Sequence, residues 1–311
     1  MSSGYDALRG AAGVVDVDRA SVLVNGPDAV SYLQNLISAD LDPVGDGEGA
    51  QSLLLTPQGK LDADFRLLRV GDDCWLDADT GTGPSLTESL LRFRIRVKVD
   101  VEDRSDAWGV LAVKGPDAET VVRAASGVEV PDAPHAHVAW GAGHVVRADW
   151  PGIPGIDLVG PRVELTRHRD ALLTAGAVAA STDDYEVVRI EAGVPRQTLD
   201  LNEKTIPQEA FLDQVAISFS KGCFLGQELV TRIDTRGHVN RYLRGIRLGA
   251  DAAAGADVVA GDKAVGALTS VAHSPALGPI ALAYVRREVE PPAEVTVAGV
   301  PATVETLPLV P

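Results

Sequence analysis

Apolar and charged residues alternate along two stretches in the first third of the chain. In residues 61–67 every second side chain is apolar, which is the pattern of a strand with one buried face. Turn residues at 71–73, followed by the apolar run 74–76, predict a hairpin. Residues 93–101 alternate in the same way and predict a one-sided strand, although the first of them also fit the end of a helix that begins near Ser85.

A short phrase recurs along the chain and indicates a repeated structural unit. Residues 22–29 and 111–118 both contain an apolar strand, a glycine turn, Pro at the expected first helical position and Asp in the first turn. Residues 156–161 are a fainter copy. Such units, separated by hairpins, predict an α+β fold with antiparallel sheets. The phrase indicates duplicated subdomains, but it is also a good joint between any strand and helix.

From about Leu243 onward the chain consists of short apolar runs broken by glycine and proline. Several short strands of this kind predict a small closed or nearly closed barrel, with its boundary near residue 242. The runs expected to form its strands are 245–248, 264–270, 280–285, 295–297 and 302–307.

The whole chain is acidic, with 28 basic against 44 acidic residues and a formal charge of −16. This argues against direct nucleic-acid binding, which needs a net basic face. Cys74 and Cys223 are too few for a disulfide framework or a four-thiolate metal site, and a cytoplasmic location is expected. His135 and His137 have no third ligand nearby, so no metal site is expected. No apolar stretch approaches the roughly 18 residues of a membrane span.

Residues 221–244 reverse the charge of the chain, with five basic against two acidic side chains and a local charge of +3. A basic island in an acidic protein suits an anionic small molecule or an anionic tail. The alternative is a basic hinge that forms salt bridges to the acidic remainder.

Cys223 lies inside this island, two residues after Lys221 and shortly before an expected helix start. A nearby cation and the positive end of a helix both favour a reactive thiolate. A cysteine is also commonly an inert core residue. Here, however, Gly222 and Gly226 on either side would let the backbone approach a ligand closely. Cys74, in the predicted hairpin, is expected in the core.

These features occur within longer phrases that resemble the YgfZ family of folate-binding proteins. The family is related to the glycine-cleavage aminomethyltransferase and to a mitochondrial iron–sulfur assembly factor. The phrase "KGCFLGQE" at 221–228 is specific, and nearly the whole chain takes part in the resemblance. The other matching phrases are "VNGPDAVSYLQNLISADL" at 24–41, "LLLTPQGKLDADFRLLR" at 53–69, "RIEAG" at 189–193, "LDLNEKTIPQEAFL" at 199–212 and "GDKAVGALTSVAHSPALGPIALAYV" at 261–285.

The resemblance implies an α+β, aminomethyltransferase-like folate-binding fold. Duplicated α/β subdomains would surround a central channel, and a small β-barrel would follow at the C-terminus. The implied domains are a discontinuous body of residues 1–47 and 107–241, an inserted subdomain of residues 48–106, and a barrel of residues 242–311.

The resemblance further implies a protein that binds tetrahydrofolate or a derivative. It would support iron–sulfur clusters in client enzymes, including tRNA-modifying ones, with Cys223 as its functional thiol beside Lys221. Glu191, near the end of a helix expected from about Thr182, would hold the pterin, because a carboxylate accepts two parallel hydrogen bonds from an amino-pyrimidinone edge. The other implied folate contacts are Gln227 and Glu228, with Arg232 and Arg236 for the glutamate tail.

Two other functions remain open. Aminomethyltransferases use an aspartate near the end of the first hairpin region for one-carbon transfer, whereas residues 81–86 contain no carboxylate. A folate-dependent one-carbon transferase would therefore need Asp77 or Asp79, a few residues earlier, to polarise the cofactor. The other alternative is a scaffold without a small ligand, in which the basic island docks an acidic partner.

Overall fold

The structure is a computed structural model and describes residues 3–310. Within these residues no helix is long and apolar enough to cross a membrane. The α-helices are α1 (Ser3–Gly10), α2 (Ala29–Leu36), α3 (Gly83–Leu91), α4 (Ala118–Ser126), α5 (Arg162–Thr174), α6 (Thr182–Ala192), α7 (Asp213–Ala216) and α8 (Gln227–Arg236), with a 3₁₀ turn at Pro207–Ala210.

The strands form two open sheets and one closed barrel. In chain order they are β1 (Gly13–Val17), β2 (Arg19–Asn25), β3 (Gly49–Leu55), β4 (Leu61–Val70), β5 (Asp73–Asp79), β6 (Asp100–Asp103), β7 (Trp108–Lys114), β8 (His137–Trp140), β9 (Gly143–Arg147), β10 (Gly155–Pro161), β11 (Val178–Ala179), β12 (Arg241–Leu248), β13 (Asp257–Ala260), β14 (Lys263–Ser274), β15 (Gly278–Arg286), β16 (Ala293–Val297) and β17 (Val300–Glu305).

The two open sheets carry the recurring phrase. The five-stranded sheet has the order β3-β4-β5-β2-β6, and its β2 leads into α2. The six-stranded sheet has the order β11-β1-β7-β10-β9-β8, and it holds the other two copies, β7 with α4 and β10 with α5. The α+β fold with antiparallel sheets and repeated strand, turn and helix units is confirmed. The sheets meet at Trp75 and Trp108, whose ring centroids lie 3.8 Å apart.

The division into domains stays a proposal. Strand β2, at Arg19–Asn25, pairs with β5 and β6, so it completes a sheet whose other strands all lie within residues 48–106. Any boundary drawn at residue 47 must therefore allow for a strand that comes earlier in the chain.

The joints between strand and helix differ from the prediction by two residues. Asp28 and Asp117 precede α2 and α4 as N-cap residues, and Pro27 lies before the helix rather than at its first position. The turn depends on Gly26 and Gly115, with φ of 110° and 117°. A Cβ at Gly115 would lie 2.3 Å from Ala11 O, so the joint needs glycine for a close backbone approach as well as for its conformation.

The prediction of a strand over residues 93–101 is wrong. Helix α3 ends at Leu91, residues 92–99 are irregular, and only β6 at Asp100–Asp103 pairs as a strand. Phe93 and Val97 still pack against the core, which explains the alternating pattern. Arg96 takes a left-handed φ of 58°, which is incompatible with a continuous strand.

The predicted C-terminal barrel is confirmed as a closed barrel with the strand order β12-β15-β14-β13-β16-β17. Strand β13 at Asp257–Ala260 was not expected, because its apolar run is short. A core shared between the barrel and the rest of the chain joins Leu243 and Leu282 of the barrel to Leu55, Ile190 and Phe224. This shared core brings the segment around Cys223 against both α6 and the β3–β4 hairpin.

Candidate functional site

Charged side chains fill the region between the two open sheets. Four come from β2, β4 and β5 of the five-stranded sheet, and two come from β7 and β10 of the six-stranded sheet. We call them the central cluster: Arg19, Arg66, Asp77, Asp79, Lys114 and Asp157.

Arg66 joins the two sheets. Its Nη1 donates to Asp157 Oδ2 at 2.9 Å, and its Nη2 donates to Asp77 Oδ2. The side chain is 7% exposed, so its charge depends on these carboxylates for compensation. Because one guanidinium bonds to a carboxylate on each sheet, it ties the two sheets together at this point.

Lys114 is almost completely buried beside the same aspartate. Its Nζ lies 3.3 Å from Asp157 Oδ1 and donates to Ala148 O at 2.5 Å. Burial lowers the pKa of Lys114, since the charged form loses its hydration. Burial would raise the pKa of Asp157, but the fields of Lys114 and Arg66 outweigh it and hold that pKa below its usual value. Asp157 is therefore the negative centre of the cluster.

Asp77 and Asp79 are both engaged in the cluster. Arg19 Nε donates to Asp77 Oδ1 at 2.7 Å, and Arg19 Nη1 donates to Asp79 Oδ1 at 3.0 Å. The other oxygen of Asp79 accepts from the backbone N–H of Gln197 at 2.5 Å, and the other oxygen of Asp77 accepts from Arg66. Each carboxylate oxygen of these two residues thus accepts a hydrogen bond from the protein, and their expected role in polarising a cofactor stays a prediction.

Asp64 is a further carboxyl group at this place and lacks a comparable cation. The β4–β5 register pairs Phe65 with Ala78, which sets Asp64 opposite Asp79. Gln51 Nε2 donates to Asp64 Oδ1 at 2.6 Å, whereas Oδ2 accepts no hydrogen bond from residues 3–310. Burial, followed by repulsion from Asp79, raises the pKa of Asp64 to about 7. A partly exposed carboxyl group that changes protonation near neutral pH suits general acid–base chemistry.

The alternation along 61–67 predicts the strand but does not single out Asp64 as a functional group. Alternation identifies a polar face but not whether solvent or protein covers it. Here the six-stranded sheet covers that face and turns a polar stripe into a buried cluster. The sequence signal that could have identified Asp64 is the register of the β4–β5 hairpin. This register sets Asp64 and Asp79 opposite each other on one face, and such a pair of like charges is unfavourable on an ordinary strand pair.

Glu191 lies at a joint between three elements. It is fully buried near the end of α6. Its Oε1 accepts from the hydroxyl of Tyr5 on α1 at 2.8 Å and from the hydroxyl of Ser274 on β14 at 2.5 Å. Its Oε2 lies 3.7 Å from Arg9 Nε and has no hydrogen-bond partner among the described residues. One buried oxygen therefore lacks a hydrogen-bond partner, and the assignment of Glu191 to the pterin stays a prediction.

Cys223 is exposed, whereas Cys74 is buried in the core as expected. Helix α8 begins four residues after Cys223, with Gly226 at its N-cap. The thiol therefore lies before the N-terminus of the helix and not in its first turn. Gly226 has a φ of 78°, and a Cβ there would lie 2.5 Å from Thr56 O. This glycine thus permits close packing on the β3–β4 hairpin, not on a ligand, and Gly222 has open space around it.

Lys221 points its ammonium group away from solvent. Its Nζ donates to the carbonyl oxygens of Gln34, Ile37 and Ala39 at 2.7, 2.9 and 2.6 Å. Burial lowers its pKa to about 8. Lys221, which the sequence predicts to lie beside the thiol, is therefore bonded to the end of α2.

The remaining expected folate contacts lie on α8. Glu228, Arg232 and Arg236 are exposed and spaced four residues apart, which sets them on one face of the helix. Neither arginine forms an ion pair with another residue in the range 3–310. Gln227 is half-buried at the start of the helix. Among residues 3–310 no hydrogen bond or ion pair joins this face to Glu191, and the assignment of all these residues to folate stays a prediction.

His135 lies in the loop before β8, and His137 is the first residue of that strand. Among residues 3–310 no group of three or more His, Cys, Asp or Glu side chains is placed to hold a metal ion. Burial lowers the pKa of His135 to about 4 and also lowers the pKa of His137. Both rings are therefore neutral near pH 7.

Comparison with known proteins covers almost the whole chain. Residues 2–221 match the family model of the GCVT N-terminal domain, and residues 241–310 match that of the glycine cleavage T-protein C-terminal barrel domain. The aminomethyltransferase of Corynebacterium jeikeium is 30% identical over 314 residues, covering 91% of this chain and 81% of that protein. An aminomethyltransferase of Thermus thermophilus is 29% identical over 317 residues, covering 98% and 89%.

A solved structure has the same fold. The crystal structure of the glycine cleavage system aminomethyltransferase T from Bartonella henselae superposes with a TM-score of 0.87 at 22% identity, covering 99% of this chain and 88% of that one. The expected aminomethyltransferase-like architecture with its C-terminal barrel is thus confirmed.

Proposed function

Since the chain belongs to the family of the GCVT N-terminal domain and the glycine cleavage T-protein C-terminal barrel domain, we propose that it binds tetrahydrofolate beside the central cluster and transfers a one-carbon group with Asp64 as proton acceptor and donor. The observation that carries this proposal is the state of Asp64. Its pKa of about 7 and its unbonded Oδ2 are what a group exchanging protons at neutral pH needs.

The residues present are compatible with a folate. An amino-pyrimidinone offers N–H donors, and two carboxylate oxygens, one on β4 and one on α6, accept no hydrogen bond from residues 3–310. These are Asp64 Oδ2 and Glu191 Oε2. Within the proposal each of them accepts a donor of the ligand, and Glu191 contributes a single hydrogen bond because Tyr5 and Ser274 occupy its other oxygen.

Tetrahydrofolate, when bound, supplies the amine nitrogens that take up the one-carbon unit. The task of Asp64 is to hold or release a proton at Oδ2 next to such a nitrogen. Gln51 fixes the orientation of the carboxyl group through Oδ1. Burial keeps the pKa of Asp64 high, and Asp79 adds to it, because ionising Asp64 would set a second negative charge beside Asp79. Arg19 and Arg66 hold that arrangement in place.

The test is turnover of tetrahydrofolate by the purified protein with an aminomethyl donor. Asp64→Asn keeps the shape but removes the titrating group, and we expect turnover to fall by about 10²–10⁴-fold. The matched control is Asp72→Asn in the exposed turn after β4, which should leave turnover unchanged. Wild-type turnover at background level would reject the transferase.

Calorimetry with folinic acid tests binding separately from transfer. The wild type should release or absorb heat on binding, and Glu191→Gln should bind more weakly because an amide nitrogen replaces one acceptor. Absence of any heat with the wild type would reject folate binding and favour a scaffold that docks an acidic partner through its basic island.

A second function is supported by the exposed thiol of Cys223 within the phrase that resembles the YgfZ family. In this proposal the protein is a cytoplasmic, tetrahydrofolate-binding accessory of iron–sulfur client enzymes, including tRNA-modifying ones. The relatives named above are aminomethyltransferases, so membership of that narrower family is part of the proposal. Because Cys74 is buried, Cys223 would act as a single thiol per chain.

The two functions separate in one pair of variants. Cys223→Ser should lower the activity of cluster-dependent enzymes in the host while leaving turnover of tetrahydrofolate in vitro intact. Asp64→Asn should lower the turnover of tetrahydrofolate in vitro while leaving the activity of cluster-dependent enzymes in the host intact. Unchanged host enzyme activity with Cys223→Ser would reject the accessory function.

A further inference from the structure

The segment 217–226, which we call the cysteine loop, is attached to the body at both ends. At its start, Ser38 Oγ donates to Ala216 O at 2.6 Å, and the backbone N–H of Ser218 donates to Ser38 O at 2.9 Å. At its end, Gly226 packs against the turn of the β3–β4 hairpin. Cys223 is exposed between these two attachments.

Lys221 provides the strongest contact of the first attachment. Helix α2 ends at Leu36, and the last carbonyl groups of a helix have no intrahelical donor. The three N–H bonds of Lys221 are directed at Gln34 O, Ile37 O and Ala39 O, so each donor has a carbonyl partner. The side chain is 8% exposed. A cation at this end also interacts favourably with the helix dipole.

The second attachment is a contact between two glycines. Gly59 in the hairpin turn and Gly226 both have positive φ, at 73° and 78°. A Cβ on Gly59 would lie 2.9 Å from Gly226 O and 2.6 Å from Leu229 Cβ. The two backbones therefore touch where neither could carry a side chain.

We propose that Lys221 is a positioning residue, which fixes the cysteine loop by capping the C-terminus of α2 and so determines where Cys223 is presented. Its role is geometric: three converging donors on three carbonyl groups. The ammonium group is directed into this carbonyl cage, so it acts on Cys223 through the loop backbone. The functional importance of this positioning rests on the proposed accessory function, in which Cys223 is the functional thiol.

A fluorine label tests this arrangement directly. Alkylation with bromotrifluoroacetone places a trifluoromethyl group on Cys223, since Cys74 is inaccessible, and Cys223→Ser shows the background. In the wild type we expect the broad ¹⁹F line of a label on a fixed loop. Lys221→Met should give a narrow line and faster amide exchange at Ile37 to Ala39. Lys263→Met, on an exposed barrel lysine, is the matched control and should change neither.

Lys221→Arg separates geometry from charge. Arginine keeps the cation, but its planar fork cannot direct three donors to carbonyls that converge on one point. We therefore expect a line width between those of the wild type and Lys221→Met. An unchanged line with Lys221→Arg would mean that charge alone suffices and would overturn the proposal, as would an unchanged line with Lys221→Met.

The arginine variant also carries the test if the methionine variant does not fold. These readouts need neither folate nor a client enzyme. A failure of Cys223→Ser to affect host enzymes would thus reject the accessory function and leave the result on Lys221 standing.

Discussion

Lys114 in the central cluster and Lys221 in the cysteine loop are both buried, but Lys114 forms an ion pair with a carboxylate, whereas Lys221 bonds to backbone carbonyls. Lys114 lies 3.3 Å from Asp157 and shares it with Arg66, so its charge belongs to a network that spans two sheets. Lys221 contacts one backbone carbonyl in the last turn of α2 and two in the residues that follow the helix. Burial lowers the pKa of both.

The difference indicates how each region responds to change. In the central cluster every charge is balanced by another, so removing one leaves its partners uncompensated in the interior. In the cysteine loop the contacts are to backbone, and what a substitution disturbs is mainly the local conformation. The cluster should therefore control global stability, and the loop should control the presentation of one thiol.

The largest effect is expected from breaking the cluster at its negative centre. Asp157→Asn leaves Lys114 and Arg66 without their shared carboxylate, and we expect the free energy of unfolding to fall by about 3–5 kcal/mol. Urea denaturation measures it. Asp16→Asn, on the exposed face of the neighbouring β1, is the control and should change stability by no more than about 0.5 kcal/mol. A loss below about 1 kcal/mol for Asp157→Asn would show that water replaces the carboxylate.

A smaller effect is expected in the cysteine loop, where two glycines form a matched pair. Gly226→Ala must accommodate a φ of 78° and a Cβ 2.5 Å from Thr56 O, so we expect a loss of about 1–3 kcal/mol. Gly222→Ala meets nothing within 4 Å and should be nearly neutral. Equal effects from the two variants would contradict the attachment of the loop to the hairpin.

The two regions also differ in how far sequence predicts them. The cysteine loop is one continuous phrase, so its thiol and the start of α8 were found from neighbouring residues. The central cluster brings together residues as distant as Arg19 and Asp157, and only the register and the packing of two sheets unite them. The local pattern of apolar and polar residues correctly predicts strand β4 and the barrel, but it does not predict which part of the protein covers a polar face.

The same limit applies to the contacts of the cysteine loop. The sequence predicts that the flanking glycines leave room for a ligand and that Lys221 lies beside the thiol. Gly226 and Lys221 instead contact elements far earlier in the chain, the hairpin turn at Gly59 and the end of α2. A residue's partners across more than 150 positions are not encoded by its immediate neighbours.

The last effect depends on pH and concerns Asp64, the carboxyl group of this region that has no ion pair within residues 3–310. Its pKa is raised from 3.8 to about 7, so the folded state holds a proton that the unfolded chain releases above pH 3.8. Its contribution to stability is therefore present at low pH and is lost as the pH rises towards 7. The slope is at most about 1.4 kcal/mol per pH unit.

Asp64→Asn removes this dependence, because asparagine does not titrate. Stability measured by urea denaturation from pH 4.5 to 8.5 should show the variant gaining on the wild type up to about pH 7 and keeping a constant difference above it. Asp72→Asn, in the exposed turn, should run parallel to the wild type throughout. A difference that does not change with pH would mean that Asp64 is ionised across the whole range, and it would contradict the proton exchange near neutral pH on which the proposed transfer depends.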